Sequence, residues 1–336
     1  MTLISKDGFE RPISYVRLSV TDRCDLRCFY CMRPDQSFLP RSELLSFEDL
    51  HRLIAFLVAS GVNKLRITGG EPLVRKGILD FLVSLRPYVD EGRLKELTLT
   101  TNGTLLAEAA PYLVASGIKR INVSCDSLNP ETFSRITRGG DLSKVLQAIQ
   151  VAQDQGLKIK LNIVALKHDN RAELPSMIDW AHGRQIDVSL IEIMPLDEAL
   201  GTREDQFVSL AEIMSDLSSF WRLTPLAETT SGPARYYQIA ETGGKLGLIT
   251  PLSHNFCDTC NRVRITCTGR LYMCLGQEDH VDLREALRGG DEAQLQQIWL
   301  QALRHKPKSH DFLIAGMGLS DAKAYIPKRT MSVTGG

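Results

Sequence analysis

From residue 15 to about 195, short β-branched runs alternate with amphipathic stretches, the pattern of βα units around a parallel sheet. Six strands are predicted, at residues 15–20, 64–68, 96–100, 120–124, 158–164 and 188–194. Each is short, as parallel core strands are. Leu50, Leu53, Ile54, Leu57 and Val58 share one helical face behind Ser46 as N-cap and an acidic first turn, and Gly61 stops that helix. Further helices are predicted over residues 105–116, 142–155 and 174–182, ending near Gly117, Gly156 and Gly183. Six units, not eight, imply an α/β fold of the incomplete TIM type, a (βα)6 barrel. After Pro195 the periodicity weakens: residues 197–204 read as a polar linker, followed by a helix over 210–220 and strands near 236–239 and 245–249. The expected division is therefore a partial barrel over 1–200 and a C-terminal region over 201–336.

In such sheets ligands sit beyond the carboxyl ends of the strands. The segments that follow the predicted strands are correspondingly rich in polar residues, glycine and cysteine. Strand one leads into Cys24-Asp25-Leu26-Arg27-Cys28-Phe29-Tyr30-Cys31, strand two ends in Thr68-Gly69-Gly70-Glu71-Pro72, strand three in Thr100-Thr101-Asn102-Gly103 and strand four in Ser124-Cys125-Asp126-Ser127. Gly69-Gly70 lets a ligand approach the backbone with no Cβ in the way.

Composition narrows the class. No run approaches the eighteen apolar residues of a membrane span, and the N-terminal residues lack the apolar core of a secretory signal, so a cytoplasmic protein is expected. Forty basic residues balance forty acidic ones, which leaves no global field for nucleic acid or an anionic membrane. An anionic ligand must therefore be met by a local cluster of positive charge.

Eight cysteines in a reducing compartment are a poor disulfide framework, and seven of them form two groups far apart in the chain. Cys125 stands outside both and reads as a small core residue. Thiolates packed as closely as Cys24, Cys28 and Cys31 repel one another unless a soft cation neutralises them. Three thiolates leave a four-iron cluster one open iron, whereas a closed zinc site takes four ligands. The second group, Cys257, Cys260, Cys267 and Cys274, admits both readings: a closed four-cysteine zinc knuckle, or a second open cluster on Cys257, Cys260 and Cys274.

The spacing C-x3-C-x2-C with an aromatic residue before the last cysteine resembles the signature of radical S-adenosylmethionine (SAM) enzymes. Leu18-Ser19-Val20-Thr21-Asp22-Arg23-Cys24, Ile67-Thr68-Gly69-Gly70-Glu71-Pro72-Leu73, Thr100-Thr101-Asn102-Gly103, Ile121-Asn122-Val123-Ser124 and Cys257-x-x-Cys260-Asn261-Arg262-x-Arg264 together resemble the GTP 3',8-cyclase family of molybdenum cofactor synthesis. That resemblance implies two [4Fe-4S] clusters, on Cys24, Cys28 and Cys31 and on Cys257, Cys260 and Cys274. It also implies SAM held by Tyr30, Gly70, Ser124 and Met194, and GTP held by Arg17, Lys64, Arg66, Thr100, Lys160, Arg262, Val263 and Arg264. Guanidinium forks and ammonium groups suit a triphosphate, and Lys64 and Arg66, two apart on a strand, share a face.

The implied chemistry is reductive cleavage of SAM, removal of the ribose 3' hydrogen and attack on C8 of guanine, with the second cluster's open iron on the base. Arg17 and the terminal Gly335 and Gly336, which the family inserts toward its active site, complete the implied catalytic set. Implied partners are a reductant protein, a cyclic pyranopterin monophosphate synthase acting on the product, and a second copy in a homodimer. Two other readings stand beside this one: a peptide-modifying radical SAM maturase with extra cysteines, and a zinc-stabilised nucleic-acid module.

Overall fold

The computed structural model describes residues 4–194, 196, 203–227, 232–254, 256–310 and 329–335. Six parallel strands follow one another in sequence and in space: β1 (Tyr15–Ser19), β2 (Lys64–Thr68), β3 (Glu96–Thr101), β4 (Arg120–Ser124), β5 (Lys158–Ala165) and β6 (Asp187–Glu192). Helices α1 (Phe47–Ala59), α2 (Ile78–Ser84), α3 (Arg86–Asp90), α4 (Leu106–Ala115), α5 (Pro130–Thr137), α6 (Leu142–Asp154) and α7 (Leu174–His182) fall between the strands. The result is the expected incomplete barrel, with strand bounds within two residues of those predicted.

The α1 start has the predicted chemistry. Ser46 accepts from the Asp49 amide while the Asp49 side chain accepts from the Ser46 amide, a reciprocal capping box. Gly117 and Gly156 adopt φ of +83° and +85° after their helices, as C-terminal glycines do. Gly183 does not: it keeps right-handed helical geometry, and the left-handed turn falls two residues later on Gln185 at φ +59°.

After β6 the chain returns to the same sheet rather than building a separate one. Helices α8 (Arg203–Gln206) and α9 (Leu210–Leu217) precede β7 (Leu223–Leu226), β8 (Arg235–Ile239) and β9 (Lys245–Ile249). Strand β9 pairs parallel with β6, and β8 and β7 continue antiparallel beyond it. At the opposite edge β10 (Arg262–Ile265) pairs parallel with β1, extended antiparallel by β11 (Arg270–Tyr272) and β12 (His280–Asp282). Helices α10 (Arg284–Gly289), α11 (Glu292–Arg304) and α12 (Met331–Thr334) complete the described elements. Of the predicted linker, residues 197–202 lie outside the described residues, while Arg203 opens α8.

Strand alternation separates the two faces. Val16 and Leu18, Leu65 and Ile67, Leu97 and Leu99, Ile121 and Val123, and Ile159, Leu161 and Ile163 belong to one apolar core shared with the helices. The intervening Tyr15, Arg17, Lys64, Arg66, Asn122, Lys160 and Asn162 line a cavity on the other face. A parallel strand buried on both faces ordinarily reads as a continuous apolar run. Here every second position is polar, so the inner face was built for something other than packing. Among the described residues no helix is long and apolar enough to cross a membrane.

Helix α11 ties the last third of the chain to the first. Trp299 is fully buried, meets Phe56 of α1 edge to face at 6.1 Å, and donates its indole N–H to Ser5 Oγ at 3.1 Å. Trp299→Ala is expected to lower stability by about 3–5 kcal/mol through the cavity left behind. Urea unfolding monitored by far-UV circular dichroism measures it, and an unchanged midpoint would mean that α11 does not brace α1.

Candidate active site

The loop after β1 is held open by contacts that no single motif reveals. The Arg27 and Phe29 amides donate to the carbonyls of Thr137 and Ile136 at the end of α5. Asn102 Nδ2 donates to Asp25 Oδ1 at 2.7 Å and approaches Cys24 Sγ at 3.7 Å, and Thr104 Oγ1 donates to Asp25 Oδ2. Glu71, fully buried, accepts from the Asn102 amide at 2.7 Å, from Thr101 Oγ1 at 2.9 Å and from the Leu73 amide at 3.0 Å. Burial drives its carboxyl up to about 7 despite those three donors. Glu71 therefore fastens the end of β2 to the end of β3, and Asn102 carries that order into the cysteine loop.

Gly69 and Gly70 line the cavity, but their lack of a side chain serves the chain itself as well. A Cβ on Gly70 would lie 2.4 Å from the Arg23 carbonyl oxygen, and one on Gly69 would lie 2.7 Å from that of Thr21. The glycines let the cysteine loop cross the end of β2. The Gly70 amide donates to Thr21 and the Glu71 amide to Arg23.

Cys24, Cys28 and Cys31 line the cavity together, and so do Cys257, Cys260 and Cys274. All are free thiols. Burial first, then neighbouring groups including Cys31, pushes Cys24 up to about 12 and Cys28 well above the ordinary thiol value. An uncompensated thiolate is therefore disfavoured in this loop, and a cationic cluster bound by all three would reverse that balance. Cys257 and Cys274 are likewise raised by burial. At Cys260 burial opposes ionisation, yet Lys306 and Arg262 prevail and lower the thiol.

Cys267 stands apart from the other three thiols of the second group. It is buried but does not line the cavity, and burial followed by Asp22 pushes its thiol up to about 12. Its carbonyl accepts from the Leu45 amide on the helix side of the molecule. Cys125 packs in the core with its thiol toward the Ser127 carbonyl.

Buried cations from distant segments grip the second group. Arg11 donates to the carbonyls of Cys257, Pro307 and Lys308; Lys306 Nζ donates to Met273 O at 2.6 Å; Arg329 donates to the carbonyls of Cys274 and Leu275. None of these three was visible in the sequence, because each acts through a backbone carbonyl far away in the chain.

The remaining predicted residues meet in the same cavity, of about 310 Å³: Tyr30, Ser124 and Met194, and Arg17, Lys64, Arg66, Thr100, Lys160, Arg262, Val263 and Arg264. Tyr30 Oη donates to Asp126 Oδ2 at 2.5 Å, a buried partner that fixes its ring. Arg66 Nη1 donates to Thr100 Oγ1 at 3.0 Å, and its Nε has no hydrogen-bond partner although buried. Burial lowers Arg17 to about 10 and Arg264 well below its ordinary value. For Tyr15 burial acts upward, but the combined field of Arg66, Arg17, Lys64 and Arg262 brings it down to about 8. Such crowded, desolvated guanidinium groups suit a polyanion.

Gly335 reaches this site. Its carbonyl accepts from Arg264 Nη1 at 3.1 Å, and at φ +77° a Cβ there would lie 2.0 Å from Thr68 Oγ1. Gly336 lies outside the described residues.

Residues 18–181 match the radical SAM superfamily, and residues 186–312 match the family described as Molybdenum Cofactor Synthesis C. The GTP 3',8-cyclase of Caulobacter vibrioides is 54% identical over 331 residues, covering 98% of this chain and 93% of the relative. That of Brucella ovis is 52% identical over 333 residues, covering 98% and 95%. Among solved structures, Streptococcus suis SuiB bound to S-adenosylmethionine has a TM-score of 0.60 at 14% identity, over 88% of this chain and 64% of that chain, a likeness of fold alone.

The placement of Cys267 generates a test. Cys267→Ser is expected to retain the full iron content of the native protein after anaerobic reconstitution. Loss of about half the iron would return Cys267 to the ligand set.

Proposed function

Because this chain belongs to the GTP 3',8-cyclase family of radical SAM enzymes, we propose that the cavity on the inner face of the sheet brings SAM and GTP together between two triads of cysteines. The reaction is cyclisation of GTP to (8S)-3',8-cyclo-7,8-dihydroguanosine 5'-triphosphate, the first step of molybdenum cofactor biosynthesis. It uses two [4Fe-4S] clusters and SAM. Bound at Cys24, Cys28 and Cys31, a cluster with SAM supplies one-electron cleavage and hydrogen abstraction.

The residues of the chain bind, orient and shield. Tyr30, held by Asp126, presents a fixed aromatic face to the SAM adenine, while Gly70, Ser124 and Met194 line the rest of the SAM site. Cys257, Cys260 and Cys274 would hold the second cluster, which would supply a binding site for the guanine base. Arg17, Lys64, Arg66, Lys160, Arg262 and Arg264 neutralise the triphosphate, with Thr100 and the Val263 backbone completing its cradle. Arg17 and the tail residues Gly335 and Gly336 complete the catalytic set of this reading, which the hydrogen bond from Arg264 to the Gly335 carbonyl supports. The observation that carries this reading is the register of the arginines: Arg17 lies opposite Arg264 on one side and Arg66 on the other. The peptide-maturase and zinc-module readings account for no such row.

A reductant protein supplies the electron, and a cyclic pyranopterin monophosphate synthase takes the product. Eight free thiols suit the reducing cytoplasm.

Anaerobic protein given SAM, GTP and dithionite is expected to form 5'-deoxyadenosine and an isomer of GTP, read by mass spectrometry. Cys24→Ala is expected to form neither while keeping the iron of the second site; 5'-deoxyadenosine at the native rate would overturn the first ligand set. Deleting Gly335 and Gly336 is expected to preserve folding, both clusters and SAM cleavage, but to lower cyclised product by roughly tenfold or more through lost positioning. Native product yield from the truncated chain would remove the tail from the site.

A further inference from the structure

Tyr236 had no role in the sequence reading, yet it reaches the centre of the cavity from β8. It is buried, and its hydroxyl accepts from Lys160 Nζ at 2.6 Å while the same ammonium sits 4.6 Å from the ring centroid. Lys160 belongs to β5, separated from β8 in the sheet by β6 and β9. Tyr236 can span that distance because its partner in register on β9 is Gly247. A Cβ there would lie 3.1 Å from Tyr236 Cε1 and 2.7 Å from Ser189 Oγ of β6. A glycine inside a buried strand weakens it unless something crosses above. What crosses here is the tyrosine ring.

We propose that Tyr236 is a positioning residue for the substrate's phosphates, aiming the Lys160 ammonium by one hydrogen bond to its hydroxyl so that the other two N–H groups point to the anion. The inference rests on the reading of Lys160 as a triphosphate ligand and adds a residue from the C-terminal hairpin to it. An ammonium carries three donors on a flexible stem, and its contribution to an ion pair depends on how much rotamer freedom must be surrendered at binding. Tyr236 removes that freedom beforehand.

The charges around Lys160 explain why a neutral acceptor is used. Arg120 of β4 and Arg66 and Lys64 of β2 face it; Asp187 lies at the start of β6, and Glu96 of β3 is already engaged by Lys64 and Arg120. Burial, then Arg120 and Arg66, lowers the Lys160 ammonium to about 7. A carboxylate in place of the tyrosine would repel the phosphates as strongly as it held the lysine. A phenol offers an acceptor oxygen with no net charge.

The test compares binding of GTP with binding of guanosine, which has the same base and ribose and no phosphate, to the anaerobic protein with both clusters loaded and no reductant. Tyr236→Phe keeps the ring and loses the acceptor; GTP affinity is expected to fall about 10- to 150-fold, the range for a hydrogen bond to a charged group. Tyr236→Leu likewise loses the acceptor and is expected to fall at least as far, while guanosine affinity stays within about twofold and iron content is unchanged. Lys160→Met is expected to weaken GTP more than Tyr236→Phe does. The double variant should bind no worse than Lys160→Met alone, because Tyr236 acts through the lysine. Equal loss of GTP and guanosine affinity, or additive losses in the double variant, would make Tyr236 merely structural and overturn the inference. Unchanged GTP affinity in Tyr236→Phe with a loss in Lys160→Met would overturn it while sparing the role of Lys160. Unchanged affinity in Lys160→Met would overturn both.

Discussion

Three guanidinium groups stand side by side on adjacent strands, Arg264 on β10, Arg17 on β1 and Arg66 on β2, each in register with the next. Like charges directly opposite one another destabilise a sheet, and burial makes the repulsion worse by removing water. No carboxylate stands in that row; Glu96, one strand over, is engaged by Lys64 and Arg120 instead. The repulsion is tolerated because the outer face of the same strands packs one continuous apolar core against the helices. Stability is generated on one face of the sheet, and the strain of a polyanion site is stored on the other.

The two cysteine groups sit in electrostatic surroundings of opposite sign. Asp25, Asp126 and Glu71 surround the first and help raise its thiols; Lys306, Arg262 and Arg264 act on the second. Each loop is also shaped by groups that bind its backbone and flanking side chains, Asn102 and Glu71 for the first and Arg11, Lys306 and Arg329 for the second. Such outer contacts set where the sulfur atoms point before any iron arrives.

Much of this was legible in advance because local signals agreed. The six parallel strands combined β-branched runs with glycine-terminated helices, and the cation positions two apart on β2 could only share a face. The missed elements had weaker signals. Helix α5 spans only Pro130–Thr137, its apolar positions diluted by threonine, serine and arginine, although Asn129-Pro130 marks its start. Strands β10, β11 and β12 have four, three and three residues, too few for periodicity to speak. In the site, the cysteines and arginines were readable because their chemistry is specific. Glu71, Tyr236 and Arg11 were not, since a buried acid, tyrosine or arginine acquires its role only when the fold supplies a partner 30, 76 or 246 residues away. Gly69 and Gly70 were noted for openness to a ligand, but they also yield to the chain's own cysteine loop.

Closing both edges of the sheet with the last third of the chain has a consequence for biosynthesis. As the polypeptide leaves the ribosome, β1 to β6 can assemble in order, each strand meeting a neighbour already made. Their two outer strands, β1 and β6, then present unpaired backbone until β9 and β10 arrive, and β1 must wait for a partner almost 250 residues downstream. Pairings so distant along the chain form slowly, and open parallel edges invite association with other nascent chains. Cys257 and Cys260 lie immediately before β10 and Cys274 lies just beyond β11, so the second triad comes together only as that edge closes. The first cysteine loop is synthesised long before it. The two cysteine groups are thereby completed in order by topology, the N-terminal loop first and the C-terminal triad only when the sheet edge on β1 closes.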